Sequence, residues 1–262
     1  MIPYLQVQPL HLGFFTFHPF RTLVTVGVLV GYFTMLRRAR RAGLDAGSAA
    51  GAGAWLLISG FVGAHWFKLV YQPQRLAADP WAFLRFLDGI ASFGGIALAY
   101  PVAAFYLWRR RTPAREIWRY LDVLAYSVLC GMMFGRVGCF LVHDHPGIHT
   151  ASWLAVRYPD GPRYDLALLE LIAIPFVLAL FHVVTHFGWP AGCYFGPGLA
   201  LYAAFRLWLD TQDAYPTRYA GISVDRYASI ACILAGLIIW RAVTARRSGT
   251  EHSTTAVSSG RP

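Results

Sequence analysis

The chain has 262 residues, 56% hydrophobic and 16% aromatic but only 14% charged, with 23 basic and 13 acidic side chains and a formal net charge of +10. Soluble domains carry roughly a quarter charged residues, so this composition argues against a soluble enzyme and reads as a polytopic membrane protein. The basic balance does not indicate nucleic acid, because the arginines sit in short loops and tails beside apolar segments, where topology and anionic lipid account for them.

Met1 to Pro19 carries neither a positive n-region nor a small-residue cleavage site, so delivery to the membrane is expected to rely on the first spanning helix. A spanning helix takes about 20 mostly apolar residues. About seven segments qualify: Phe20–Leu36, Ala50–Tyr71, Gly89–Trp108, Leu121–Val142, Tyr164–Val184, Gly192–Leu209 and Gly221–Val243. The expected fold is therefore all-α, one transmembrane bundle over residues 1–245. A Ser/Thr/Gly-rich tail from Arg246 to Pro262 has little to bury and reads as disordered.

Three arginine clusters set the orientation. Arg37, Arg38, Arg40 and Arg41 follow the first segment; Arg109, Arg110, Arg111, Arg115 and Arg119 separate the third from the fourth; Arg241, Arg246 and Arg247 follow the seventh. With seven spans all three fall on one side, which the positive-inside rule assigns to the cytoplasm. The N-terminus is then outside and the C-terminus inside. The Tyr71–Asp88, Val142–Asp165 and Asp210–Gly221 loops lie on the outer face, and any chemistry is expected there.

Polar residues inside apolar segments mark sites or substrate paths. His65 and Lys68 share a face of the second segment, although Lys68 lies near its end and can snorkel. Ser92-Phe93-Gly94-Gly95 opens the third segment, where a glycine pair suits close packing as readily as binding. Glu170 lies in the fifth, at a depth that demands a cationic partner, with Asp165 at its start. Tyr202, Arg206 and Asp210 form a stripe on the sixth, in which Arg206 and Asp210 stand four apart and can pair.

The densest stretch runs from Gly135 to Gly147, where Arg136 falls at the membrane face among Gly135, Gly138, Cys139, His143, Asp144 and His145. The cysteines Cys130, Cys139, Cys193 and Cys232 have no zinc spacing. His143, Asp144 and His145 alternate in direction and lack an evident third strong ligand, so no metal is expected. Imidazole titrates near neutrality, which makes an acid–base role more attractive. Two arginines able to grip phosphate by bidentate hydrogen bonds, together with several acids, favour an anionic phospholipid substrate handled at the outer leaflet.

These residues resemble the bacterial prolipoprotein diacylglyceryl transferases. Gly135-Arg136-Val137-Gly138-Cys139-Phe140-Leu141-Val142-His143-Asp144 looks like a divergent copy of the family's G-R-x-G-N-F-x-N-x-E signature, with Cys139 and Val142 in place of its asparagines. Asp165-Leu166-Ala167-Leu168-Leu169-Glu170 resembles the end of H-P-x-Q-L-Y-E. Tyr202 to Asp210 resembles Y-x-x-x-R-x-x-x-E, and Gly221-Ile222-Ser223 resembles the G-I-S start of the family's last helix. The order is the family's, and the resemblance runs from about Phe20 to Val243. One departure stands out: the family's S-F-H-G-G reads Ser92-Phe93-Gly94-Gly95, without its histidine.

The resemblance implies seven spans with an outer N-terminus, in the bacterial inner membrane with the active face periplasmic. It also implies transfer of a diacylglyceryl group from phosphatidylglycerol to the cysteine thiol of a prolipoprotein signal peptide, forming a thioether and releasing glycerol phosphate, with no cofactor. Arg136 and Arg206 are expected on the phosphate, with Tyr202 as a further donor. Glu170, Asp144 and Asp210 would orient the arginines, His143 or His145 would be the base, and Gly135, Gly138, Ser92, Gly94 and Gly95 would line the substrate site. The missing histidine leaves open a lipid- or signal-peptide-binding relative without transfer, and the buried charges leave open a membrane carrier or channel.

Overall fold

The computed structural model describes residues 1–12, 15–70, 72, 74, 78–84, 91–187 and 192–258. Half of the expected Tyr71–Asp88 loop and the Gly89 start of the third segment lie outside these residues. Lipid offers the backbone no hydrogen bonds, so apolar runs satisfy their own amides as helices. Among the described residues seven α-helices result: α1 Pro19–Arg41, α2 Ala46–Val70, α3 Ser92–Arg109, α4 Ala114–Val142, α5 Leu166–His186, α6 Phe195–Asp210 and α7 Val224–Ser258. Each contains or overlaps one expected segment. Five are long and apolar enough to cross a membrane, namely α1, α2, α4, α5 and, over Val224–Ala245, α7. The chain is a multi-pass membrane protein.

The connections hold more structure than their sequences suggest. The Val142–Asp165 stretch, expected as a loop, contains β3 (Pro146–His149), β4 (Val156–Tyr158) and β5 (Gly161–Asp165), antiparallel in the order β3-β5-β4. Shorter hairpins pair β1 (Leu10–Leu12) with β2 (Phe15–Phe17) and β6 (Arg218–Tyr219) with β7 (Ile222–Ser223). The N-terminal residues lie across the same end of the bundle, where Ile2 and Ala155 share a backbone hydrogen bond of 2.8 Å and Val7 donates to the Leu141 carbonyl at 3.0 Å.

Three antiparallel helix pairs make up most of the packing: α1 with α4, α2 with α3, and α6 with α7. Each has glycine facing glycine. A Cβ built on Gly131 would fall 2.5 Å from the Gly27 carbonyl oxygen, and one on Gly196 would fall 2.7 Å from that of Gly236. Gly94 meets the Gly63 carbonyl and the Phe67 side chain in the same way. Helices in lipid associate by close van der Waals contact rather than by hydrophobic expulsion, and small residues permit that contact. Gly94 and Gly95, expected at the substrate site, lie on the α2–α3 seam, where Gly95 backs onto the Gly60 carbonyl. Gly138 belongs with them, since it packs on Phe20 of α1.

The end of the bundle away from the sheet is tied by buried polar contacts. Asp122 of α4 accepts hydrogen bonds from the backbone amides of Gly192, Tyr194 at 3.2 Å and Phe195 at 2.8 Å, capping the start of α6. Arg119 donates to the Ala42 carbonyl, joining α4 to the α1–α2 turn.

The glycine seams give a direct test. Gly131→Ala is expected to lower the thermal unfolding temperature in detergent, because overpacking costs about 1–3 kcal/mol against a helix-propensity gain of about 1 kcal/mol. At Gly60 the added methyl would meet only the Ala99 Cβ at 3.5 Å, so Gly60→Ala is expected to be neutral or stabilising.

Candidate functional site

The deepest polar group among the described residues is Glu170, in the second turn of α5 and 0% exposed. A carboxylate there needs counter-charge. Two guanidiniums supply it: Arg136 of α4 at 3.0 Å and Arg206 of α6 at 2.9 Å, both on Oε2. The Tyr202 hydroxyl, one turn before Arg206, donates to Oε1. Arg206 also reaches Asp225 in the first turn of α7 at 3.1 Å. Its guanidinium lies 5.4 Å from the centroid of the Phe93 ring, at the start of α3. Five helices thus converge on one buried ionic cluster.

Arg206 does not pair with Asp210, as the four-residue spacing suggested. Asp210 instead holds Arg226, with contacts of 3.1 Å to Nε and 3.0 Å to the terminal nitrogen. Asp144 likewise touches neither arginine and lies 2.8 Å from His145. Of the three acids expected to orient the arginines, Glu170 alone does so. Asp225 does too, although the sequence reading passed over it; its signal was a carboxylate two residues after Gly221-Ile222-Ser223, in the first turn of a helix. Ser92 opens α3, and its side chain is outside the described set.

The two candidate histidines occupy different environments. His143 ends α4 in the left-handed conformation, with φ 52° and ψ 44°. Its Nδ1 lies 2.7 Å from Asp165 Oδ2, and its ring stacks on Tyr4 with centroids 4.2 Å apart. Tyr158 donates to the same Asp165 oxygen at 2.8 Å, while the other oxygen caps α5 through the Leu168 amide at 3.1 Å. Burial, then the Asp165 charge, holds the Tyr158 hydroxyl above the usual tyrosine range, so it remains a donor. The His143 side chain is 1% exposed, enclosed rather than open to an outer surface. His145 is 40% exposed and sits beside Asp144.

The left-handed turn at His143 has a further effect. It folds the chain back so that Asp144 and His145 approach Cys139, one turn earlier on α4. One ligand-type atom from each of Cys139, Asp144 and His145 lies within 4.8 Å of the others. Cys139 thus provides the third donor that the local sequence did not reveal.

Beside the ionic cluster, a cavity of about 570 Å³ runs between the helices, lined almost wholly by apolar side chains from α1 to α6. Gly135 and Tyr202 form part of its wall. Tyr32 of α1 and Leu57 and Phe61 of α2 also line it and are exposed at the bundle surface. The cavity therefore extends to the seam between α1 and α2.

The cluster predicts an asymmetry in stability. Glu170→Ala leaves two buried guanidiniums without their shared partner and is expected to cost about 3–5 kcal/mol, read as a lower unfolding temperature in detergent. Asp160→Asn removes a pair with Arg163 in which the carboxylate is 55% exposed, and at most about 1 kcal/mol is expected.

Comparison with known proteins agrees with this arrangement. The family described as prolipoprotein diacylglyceryl transferase matches residues 8–242. The phosphatidylglycerol–prolipoprotein diacylglyceryl transferase of Tolumonas auensis is 30% identical over 241 residues, 88% of this chain and 92% of that one. The protein of the same name from Chromohalobacter salexigens is 30% identical over 220 residues, 79% of each. That of Rhodopirellula baltica is 31% identical over 147 residues, 52% of this chain and 29% of its own length. A match through nearly the whole chain, with relatives aligned across most of their lengths, establishes that this protein belongs to the prolipoprotein diacylglyceryl transferase family.

Proposed function

We propose that the chain carries out the reaction for which its family is named, moving the diacylglyceryl group of phosphatidylglycerol to a prolipoprotein cysteine thiol. The observation that carries this reading is Glu170 shared between Arg136 and Arg206 beside an apolar cavity. Two guanidiniums bring about ten N–H donors against about four acceptor positions on one carboxylate. The cluster can therefore accept an anion without giving up its internal pairing. Acyl chains in the cavity and a phosphate on the arginines match the two halves of a phospholipid. The exposed α1–α2 seam offers lipid a lateral way in.

In this reading Arg136 and Arg206 hold the phosphate, and Tyr202 fixes Glu170 between them. As the carbon–oxygen bond to phosphate breaks, negative charge grows on the leaving glycerol phosphate, and cations already in position stabilise it. The acceptor thiol must lose its proton, because the thiolate is the nucleophile. His145, half exposed beside Asp144, is better situated to meet an incoming cysteine than the enclosed His143. The arginine clusters, at the end of the bundle away from the β3-β5-β4 sheet, support seven crossings with an outer N-terminus, and membership of the family supports an inner-membrane location with a periplasmic site.

The test is complementation of cells depleted of their own transferase, with mass spectrometry of a model lipoprotein. A gain of one diacylglyceryl group is expected, and its absence from cells holding folded protein in the membrane would refute the reading. Arg136→Ala and Arg206→Ala are each expected to slow transfer by about 10²–10³-fold, the usual cost of one charge-stabilising donor. Arg206→Lys should fall between, since it keeps the charge but loses the planar fork.

A further inference from the structure

The transfer reaction needs a thiolate, yet the base that the family carries at the start of α3 is absent here. At the end of α4 the chain has acquired a different constellation. Cys139 is 7% exposed and lies on α4 about one turn after Arg136. The left-handed residue His143, held by Asp165 and Tyr4, turns Asp144 and His145 back over it. The sulfur, a carboxylate oxygen and an imidazole nitrogen then lie within 4.8 Å of one another.

A second observation concerns His145. Its Nδ1 is shielded from solvent and lies 2.8 Å from Asp144 Oδ1, with which it pairs. That pairing holds a nitrogen and an oxygen together on one side of the Cys139 sulfur. Tetrahedral zinc bonds of about 2.0–2.3 Å put neighbouring ligand atoms roughly 3.3–3.8 Å apart, a spacing that small side-chain adjustments would reach from this arrangement.

We propose that Cys139, Asp144 and His145 bind one divalent cation of the zinc class, and that its open fourth position takes the acceptor thiol. The proposal rests on the transferase reading for the use of the site but not for its existence. Three protein ligands with one open position is the pattern of catalytic rather than structural zinc. A thiol that coordinates such an ion is deprotonated outright, which removes the need for the missing base. The charges also suit the place: a thiolate, a carboxylate and a neutral imidazole around a 2+ ion sum to zero, so Arg136 is not repelled.

The step balances without a further reagent. The acceptor thiol releases its proton to solvent on coordination. Its sulfur electron pair forms the bond to the diacylglycerol methylene carbon, the carbon–oxygen bond to phosphate breaks, and that pair leaves on glycerol phosphate.

The experiment uses the full chain in nanodiscs, stripped with chelator, dialysed against zinc and assayed by elemental mass spectrometry, then repeated with cobalt for its absorption. One zinc per chain is expected, with a sulfur-to-cobalt charge-transfer band that Cys139→Ser abolishes. Cys139→Ser and His145→Gln should each weaken binding by more than the roughly 10–100-fold that loss of a supporting partner costs, and His149→Gln should leave it unchanged. A synthetic peptide with a single cysteine is expected to shift the cobalt spectrum, whereas its serine counterpart is not. Absence of zinc from the wild type, or full retention by folded His145→Gln, would overturn the proposal. Zinc bound in a chain that transfers no diacylglyceryl group would sustain the site and sink the transferase reading. Transfer without zinc would do the reverse.

Discussion

Glu170 governs the half of this bundle next to the β3-β5-β4 sheet. It is fully buried and accepts from Arg136, Arg206 and Tyr202, so α4, α5 and α6 must meet at its depth. The Arg206–Asp225 contact draws in α7. Removing water from such a cluster is expensive, and a well-packed apolar replacement is often as stable. Its presence in a membrane protein is therefore better explained by what the arginines can hold than by what they add to stability.

The glycine seams and the cavity are two sides of one arrangement. Where glycine faces glycine, in α1–α4, α2–α3 and α6–α7, the helix backbones approach closely and leave no space. The α1–α2 contact is much less extensive, and the cavity opens there. A bundle made of three tight pairs with looser boundaries can admit a lipid chain without disturbing the pairs. The same pairs carry the ionic cluster on their facing sides, so acyl chain and phosphate would be received at one boundary.

The helices and the basic clusters were legible in the sequence because both depend on composition over long windows, which tertiary contacts hardly alter. The roles of single residues were not. A glycine lacks a Cβ whether it faces a ligand or another helix, and only the fold reveals that Gly94 faces Phe67 and Gly63. Spacing suggested Arg206 with Asp210, but Asp210 is taken by Arg226, and Arg206 turns to Glu170 and Asp225. The β3-β5-β4 sheet was hidden because its strands are short, Tyr158 being the last residue of one and Asp165 of another. Likewise nothing local marks His143 as left-handed, a conformation that only a few per cent of non-glycine residues adopt, histidine being among the types enriched there.

The departure at α3 and the one at α4 fit together when the glycines are taken as fixed. Counting back from Gly94 and Gly95, which the α2 contact holds in place, Phe93 stands where the family has its histidine. The ring is retained in kind and still lies over Arg206, so it can shield the guanidinium and keep α3 against the cluster. It cannot accept a proton. The proton chemistry must then have moved, and among the described residues the signature stretch offers a place, where Cys139 has replaced an asparagine and His145 has come within reach of it. One departure lies over Arg206, and the other follows Arg136 on α4; the two arginines share Glu170.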